Sequence, residues 1–134
     1  MVTIPLNVRE FLPGKLAWVA TAASDGTPNT TPKGSLRVLD EQHLVFADLF
    51  SLKTRQNLEQ NPKVAVTVID AATNAGFQIK GTAELVESGP LYDQVAQELR
   101  QRSAALPLPK YVVKISVEAI YDQSAGPNAG QQIA

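Results

Sequence analysis

Four side chains able to hold a phosphate stand close together in this sequence. They are Ser51, Lys53, Thr54 and Arg55, which follow a strand-like run at 43–47 and open a predicted helix. At such a place, free backbone N–H groups meet the positive end of the helix dipole. Two hydroxyls, two cations and several amides converging from one turn suit a phosphate group. The segment therefore predicts a phosphate-binding site, although a solvated helix face capped by Ser51 would have the same pattern.

A second candidate segment, Thr30-Thr31-Pro32-Lys33-Gly34-Ser35, lies upstream in a predicted strand. Proline and glycine leave this backbone unpaired and uncluttered, so a flat ring could approach it and accept hydrogen bonds from its amides. Lys33 would add positive charge near a ring that becomes anionic on reduction. The alternative is an edge strand whose polar side chains face water.

The remaining residue types exclude several classes of site. With no cysteine and one histidine, the chain can form no disulfide, no thiolate metal site and no two-histidine zinc site. It also lacks the Gly-x-Ser-x-Gly elbow, the P-loop, Gly-x-Gly-x-x-Gly and His-Glu-x-x-His. We therefore expect no metal site and identify no catalytic acid or base. Asn57, one turn after Lys53, could donate to a bound ligand or stay solvated, and Trp18 is expected in the core.

The overall composition indicates one domain of ordinary size, over 1–134. A net charge of −1 argues against a nucleic-acid-binding surface. No apolar run approaches the length of a membrane span, and no signal-peptide pattern opens the sequence. We expect a cytoplasmic protein without a membrane or nucleic-acid partner. The Gly-, Pro- and Gln-rich residues 124–134 are expected to form a loose tail.

Six strands and three helices are predicted from the hydrophobic pattern. The strands are expected at 16–23, 29–39, 43–47, 64–70, 77–87 and 111–122, and the helices at 8–12, 53–60 and 91–102. Asp25-Gly26 predicts a type I′ hairpin turn, and Gly81 predicts a bulge or a close backbone approach. Because strand–helix–strand units do not recur, a Rossmann sheet is disfavoured. A closed or split antiparallel barrel, with helices plugging its openings, fits better.

With these elements in order, the sequence resembles the pyridoxamine 5′-phosphate oxidase-like split-barrel family, in particular its small flavin-binding members. The resemblance covers roughly residues 8 to 121. It rests on the run 28–34 after the Asp25-Gly26 hairpin, and on the helix start Lys-Thr-x-x-Asn-Leu at 53–58 followed by Asn-Pro at 61–62. The later strand 77–84, with Gly-Thr-Ala at 81–83, is the third signal.

The resemblance implies a mainly β fold, a six-stranded antiparallel split barrel that forms a homodimer and binds one FMN per subunit at the dimer interface. It assigns the FMN phosphate to Ser51, Leu52, Lys53 and Thr54, and the isoalloxazine ring to Thr31, Pro32, Lys33 and Gly34. It places Ala47, Asp48 and Leu49 between these two groups, with Asn57 and Gln78 as further cofactor contacts. Residues near Tyr121 of the partner subunit could close the pocket.

The function implied by this resemblance is that of an FMN-binding flavoprotein, a small oxidoreductase related to pyridoxamine 5′-phosphate oxidase. Two alternatives stay open: a non-catalytic FMN-binding electron carrier, and a deazaflavin-dependent reductase of the same superfamily. We expect no pyridoxine chemistry, because the sequence is much shorter than a full pyridoxamine phosphate oxidase. We also expect no counterpart of the C-terminal extension that helps to hold that enzyme's substrate.

Overall fold

A computed structural model describes all residues of the chain, 1–134. Its elements are, in order, α1 (Leu6–Phe11), β1 (Ala17–Ala22), β2 (Pro28–Lys33), β3 (Arg37–Asp40), β4 (His43–Asp48), α2 (Lys53–Gln60), β5 (Lys63–Asp70), β6 (Ala75–Val86), α3 (Pro90–Arg102) and β7 (Tyr111–Asp122). The strands form one antiparallel sheet in the order β2-β1-β5-β6-β7-β4-β3. The chain is mainly β, as predicted, but it has seven strands rather than six.

The seventh strand arises because the predicted strand at 29–39 is two strands. β2 pairs with β1 at one edge of the sheet, whereas β3 pairs with β4 at the other edge. Residues 34–36 connect the two edges, and a single straight strand could not pair at both. The other predicted elements agree with the structure to within two residues, and α2 and β7 agree at both ends.

The main core lies on the inner side of the sheet. It contains 19 buried residues, among them Phe46 and Ile79, and α1 contributes Val8 to it. Trp18, expected in the core, is 48% exposed, because Ala17 and Val19 occupy the inward positions of β1. The prediction for Trp18 was wrong because it assigned the wrong set of alternating residues to the core. A shift of one residue along a strand moves every side chain to the opposite face of the sheet.

The outer side of the sheet is covered over only one half. There α3 packs Val95 and Leu99 against Val45, Ala47 and Val112, which point away from the main core. The buried apolar residues of α1 and α2 join the main core instead. The outer side of β1, β5 and β6 is therefore left without a helix.

Two glycines show how local backbone demands shape the sheet. The β6–β7 register shifts at Gly81, and a Cβ there would lie 2.2 Å from the Ser116 carbonyl oxygen. The predicted bulge and close approach are both confirmed. The hairpin between β1 and β2 is not type I′, because Gly26 has a φ of +91° but Asp25 does not have a positive φ. Its turn is instead closed by a hydrogen bond from the Gly26 N–H to the Ala23 carbonyl, at 2.9 Å.

The residues after β7 fold back along the end of that strand. Tyr121 forms an isolated β-bridge with Gln132, and the Ile120 N–H donates to the Ala134 carbonyl at 3.0 Å. The stretch at 124–134, expected as a loose tail, is thus hydrogen-bonded to the sheet. None of the three helices is both long and apolar enough to span a bilayer.

Candidate functional site

The candidate site lies at the seam where the two ends of the sheet approach each other. Lys33 ends β2 and Asp48 ends β4, and no backbone ladder joins these strands. The Lys33 Nζ lies 3.2 Å from Asp48 Oδ1 and 3.1 Å from the Ser51 Oγ. The two side chains are 9% and 0% exposed. A buried ion pair therefore holds the seam together where the ladder does not.

Asp48 is the centre of a larger hydrogen-bond network. Its Oδ1 accepts the Ser51 N–H at 3.0 Å, and its Oδ2 accepts the hydroxyls of Ser51 and Tyr111. Burial opposes the charged form of Asp48, but the hydrogen bonds from Ser51 and Tyr111 and the charge of Lys33 outweigh it and lower the pKa of the carboxyl. Burial and the adjacent carboxylate raise the pKa of Tyr111. The network is therefore built around an ionised Asp48 and a neutral Tyr111.

This network changes the role expected for Lys33. Its charge is compensated by Asp48, so it adds no free positive charge to the site. An ammonium group carries three N–H donors. Asp48 and Ser51 take two of those of Lys33, and the third has no acceptor. Lys33 can therefore donate a hydrogen bond to a ligand, although the pair is neutral overall.

The N-terminus of α2 keeps its donors free. Its N-cap residue is Leu52, and no side chain caps the helix. The N–H groups of Lys53, Thr54 and Arg55 have no acceptor in the protein. Ser51 was considered as the cap, but its hydroxyl donates to Asp48 instead. An anion could accept all three N–H groups without displacing a protein contact.

The two cations at this helix start differ in their availability. Lys53 is exposed and forms no ion pair, whereas Arg55 bonds to Glu59 and to Glu87 at 2.8 Å each. The guanidinium of Arg55 also lies over the Tyr111 ring, 5.3 Å from its centroid. Lys53 is thus the free cation of the predicted phosphate site, and Arg55 supplies only its backbone N–H.

The fold brings the two halves of the predicted site into contact. At one end of β2, Lys33 bonds to Ser51, and at the other end the Asn29 Nδ2 lies 3.4 Å from the Thr54 Oγ1. β2 thus runs alongside the segment at 48–54, although the two are far apart in sequence. Thr54 is fully buried by this arrangement, so its side chain holds the two halves together.

A cavity of about 350 Å³ opens beside the seam. Five predicted site residues line it: Pro32, Lys33, Gly34, Ala47 and Leu49. The other lining residues are Ser35, Phe50, Leu99, Arg102, Ser103 and Leu106. Its size is that of a small-molecule site.

Gly34 is one of the lining residues, and a Cβ at this position would meet no atom within 4 Å, so it would stand in open space. The contribution of α3 and the residues after it was missed at the sequence level. No local motif marks Leu99 or Arg102, which reach the cavity only through tertiary packing of α3 on the sheet.

The remaining predicted residues lie outside the cavity. Asn57 is buried, and its Nδ2 donates to the Thr21 Oγ1 at 3.0 Å, so it is engaged within the protein. Gln78 lies on the outer side of β6, opposite the core positions Phe77 and Ile79. Three further residues, Thr31, Leu52 and Lys53, are at least partly exposed and do not line the cavity. The phosphate half of the prediction therefore lies next to the cavity rather than in it.

Comparison with known proteins adds an independent line of evidence. The family described as pyridoxamine 5′-phosphate oxidase matches residues 4–124. An uncharacterized protein of Methanocaldococcus jannaschii is 36% identical over 136 residues, which cover 100% of this chain and 90% of that protein. The crystal structure of HupZ from Group A Streptococcus has a TM-score of 0.82 and 31% identity, covering 95% of this chain and 99% of that one.

Two more distant structures share the fold alone. An FMN-binding protein from Syntrophomonas wolfei has a TM-score of 0.76 at 15% identity, covering 90% of this chain and 84% of that one. An F420 reductase has a TM-score of 0.70 at 21% identity, covering 87% of this chain and 98% of that one. The split-barrel architecture predicted from the sequence is thus confirmed, with one strand more than expected.

Proposed function

This chain belongs to the pyridoxamine 5′-phosphate oxidase family, and we propose that it binds FMN and acts as a small flavin-dependent oxidoreductase. One observation carries the proposal: β2 lies against the segment at 48–54, with a cavity beside it and an uncapped helix N-terminus at its end. FMN has a flat ring, which requires a cavity, and a phosphate, which requires an anion site such as a free helix N-terminus next to that cavity. Proteins of the same fold include an FMN-binding protein and an F420 reductase, so the fold is compatible with either cofactor.

The phosphate of FMN would be held at the start of α2. Three free N–H groups and the helix dipole favour an anion there, and Lys53 supplies a positive charge that is not held in an ion pair. Ser51 would position this turn rather than bind, because its hydroxyl already donates to Asp48. Thr54 would do the same, because its side chain is fully buried and its hydroxyl accepts from Asn29.

The ring would lie in the cavity over Pro32, Gly34 and Ala47. FMN, when bound, supplies the hydride- or electron-transfer chemistry, and the protein supplies binding and orientation. The free N–H of Lys33 would donate to a polar edge of the ring. Asp48 would hold that ammonium in place and keep it neutralised. Water would be excluded from the apolar part of the ring by Leu49, Phe50 and Leu106.

The phosphate assignment is tested by titrating FMN into the wild type and into Lys53→Ala. Loss of one charge-assisted interaction should weaken binding by about 1.5–3 kcal/mol. Arg100→Ala is the matched control, because Arg100 is exposed, forms no ion pair and lines neither this cavity nor its neighbour. Equal affinity of the wild type and Lys53→Ala for FMN would show that Lys53 does not bind the phosphate and would refute its assignment to the start of α2.

The cofactor class is tested on the purified protein. Absorbance near 450 nm that survives gel filtration would support a bound flavin. A colourless protein that takes up the deazaflavin F420 but not FMN would refute the proposal. Turnover of NADH with an added acceptor would separate an enzyme from an electron carrier.

The proposal includes a homodimer, for which the uncovered outer side of the sheet is the candidate interface. Trp18, Thr67, Gln78 and Tyr121 lie directly side by side there, across four strands. Trp18 is half-exposed, and an exposed tryptophan on a sheet face without a helix favours an association surface. A second copy seated there would bury Trp18 and use Gln78 at the interface.

Sedimentation velocity at micromolar concentration measures this association directly. The wild type should sediment as a dimer, and Trp18→Glu should sediment as a monomer because it would bury a charge. Leu108→Glu is the control, since Leu108 is also exposed but lies in the connection between α3 and β7. A monomeric wild type would contradict the homodimer.

A further inference from the structure

A second cavity, of about 560 Å³, lies between α1, β3 and α3. It shares Gly34, Ser35, Leu99 and Arg102 with the first cavity, so the two are contiguous. Its charged lining residues are Arg9, Arg37, Glu98 and Arg102. Three cations thus face one carboxylate.

The carboxylate is fully used by one of the three arginines. Arg37 bonds to Glu98 through two atoms, Nε at 2.8 Å and Nη2 at 2.9 Å. This bidentate geometry neutralises Arg37 and fixes its orientation. It leaves Arg9 and Arg102 without a counter-charge.

Neither of these two guanidinium groups is satisfied within the protein. Arg102 makes one hydrogen bond, from Nη1 to the Gly34 carbonyl at 3.3 Å, and forms no ion pair. Arg9 makes no ion pair, and its Nε is buried without any acceptor. A buried donor without a partner is unfavourable, because it has lost water and gained nothing in exchange.

We propose that this second cavity binds a small organic anion through Arg9 and Arg102. A guanidinium group presents paired donors that match the oxygens of a carboxylate or a phosphate, which makes these the ligand groups that fit. The ligand would neutralise the excess positive charge of the two guanidinium groups. Val45, Val95 and Leu99 form the apolar wall for the rest of the molecule.

The two cavities meet at Gly34 and Ser35, so an anion held by Arg9 and Arg102 would direct its remaining atoms towards the first cavity. If FMN occupies that cavity, the second one is the subsite for an anionic redox substrate. This last assignment depends on the proposed function. The anion site itself does not depend on it.

Calorimetric titration tests the site with two probes, inorganic phosphate and succinate, at constant ionic strength set by chloride. Each titration is done on the protein before and after loading with FMN. In the loaded form, the phosphate of FMN would occupy the start of α2, so added phosphate could bind only elsewhere. The wild type should bind at least one probe saturably in both forms. Arg9→Gln and Arg102→Gln should each weaken that binding about tenfold or more.

Two further variants sharpen the test. Arg100→Gln removes the same charge from the same helix but lies outside both cavities, so binding should change less than about twofold. Glu98→Gln should strengthen binding severalfold, because it releases Arg37 from its counter-ion. Circular dichroism melting curves verify that each variant is folded.

The outcomes separate the possible ligands and the two proposals. Binding of phosphate alone identifies a phosphorylated compound, binding of succinate alone identifies a carboxylate, and either supports the site. Saturation by neither probe, or equal losses in Arg100→Gln and Arg102→Gln, would overturn it. Probe binding that depends on Arg9 in a protein unable to bind FMN would refute the flavin proposal and retain the anion site.

Discussion

The ion pair at the barrel seam should show strong energetic coupling between its two members. Lys33→Met leaves the Asp48 carboxylate buried without a counter-charge, and Asp48→Asn leaves the ammonium buried beside a neutral side chain. Each single substitution should therefore lower the free energy of unfolding by more than the ion pair itself contributes, because it leaves the other charge buried and unpaired. In the double variant neither charge remains, so its loss of stability should be smaller than the sum of the two single losses.

The magnitude follows from the distance and the burial. At 3.2 Å, two unit charges attract by about 5 kcal/mol at an effective dielectric constant of about 20. Desolvation of both ions offsets much of that attraction. Breaking a buried pair costs about 3–5 kcal/mol, and Lys33→Met should lie near 3, because Asp48 keeps its hydrogen bonds from Ser51 and Tyr111. We expect a coupling energy of about 2 kcal/mol.

Urea unfolding at pH 7 measures the coupling in four proteins: the wild type, the two single variants and the double variant. Flavin-free protein at one fixed concentration is required, since ligand and dimer formation both shift apparent stability. Equal denaturant slopes would show that the unfolded states are comparable. A coupling energy below about 0.5 kcal/mol, the ordinary error of additivity, would refute the view that this pair holds the seam.

Four further predictions concern single residues. Gly81→Ala should lower the free energy of unfolding by about 2 kcal/mol or more, because its Cβ would meet the Ser116 carbonyl oxygen at 2.2 Å. Gly34→Ala places its Cβ in open space, so the same urea experiment should show unchanged stability. The Gly34→Ala variant should nevertheless bind FMN more weakly. Asn57→Ala should cost about 1–2 kcal/mol by leaving Thr21 without its donor, and an accompanying loss of FMN affinity in fluorescence titration would show that Asn57 contacts the cofactor after all. The pKa of Asp48 is lowered on folding from its ordinary value of 3.8, so its contribution to stability is complete above that value and is lost as the pH falls through the lower folded pKa. The destabilisation by Asp48→Asn should therefore shrink below pH 3.8 in acid titrations, and a constant difference down to about pH 2 would contradict that lowered pKa.

The sequence was sufficient for features that depend on local patterns. The start of α2 at Lys53 and its free amides follow from a strand, a turn and a helix pattern in immediate succession. The close approach at Gly81 follows from a glycine inside a strand pattern. The strand count was wrong because the chain crosses between sheet edges at 34–36, and nothing in local propensity distinguishes a crossing from a bent strand.

Partners brought together by tertiary structure could not be predicted in this way. Lys33 was identified as a site residue, but its neutralisation by Asp48 depends on how two sheet ends meet. Asn57 was a candidate donor to the ligand, and only the structure shows its amide bonded to Thr21. The unpaired Arg9 had no signal at all, because an arginine in a short helix is ordinarily solvated.

These contacts divide the candidate site into regions of different charge. The middle, where Lys33 and Asp48 meet, is neutral and offers one free hydrogen-bond donor. One end has the free charge of Lys53 and three unpaired amides, and the other has Arg9 and Arg102. A ligand with a neutral ring and a phosphate fits the first two regions, and a separate anion fits the third. Because the middle holds no net charge, negative charge added to a ring there would be stabilised by the free hydrogen-bond donor of Lys33 rather than by an unpaired counter-ion. The arginines would then act on the substrate, and Lys53 on the phosphate, with neither needed at the ring itself.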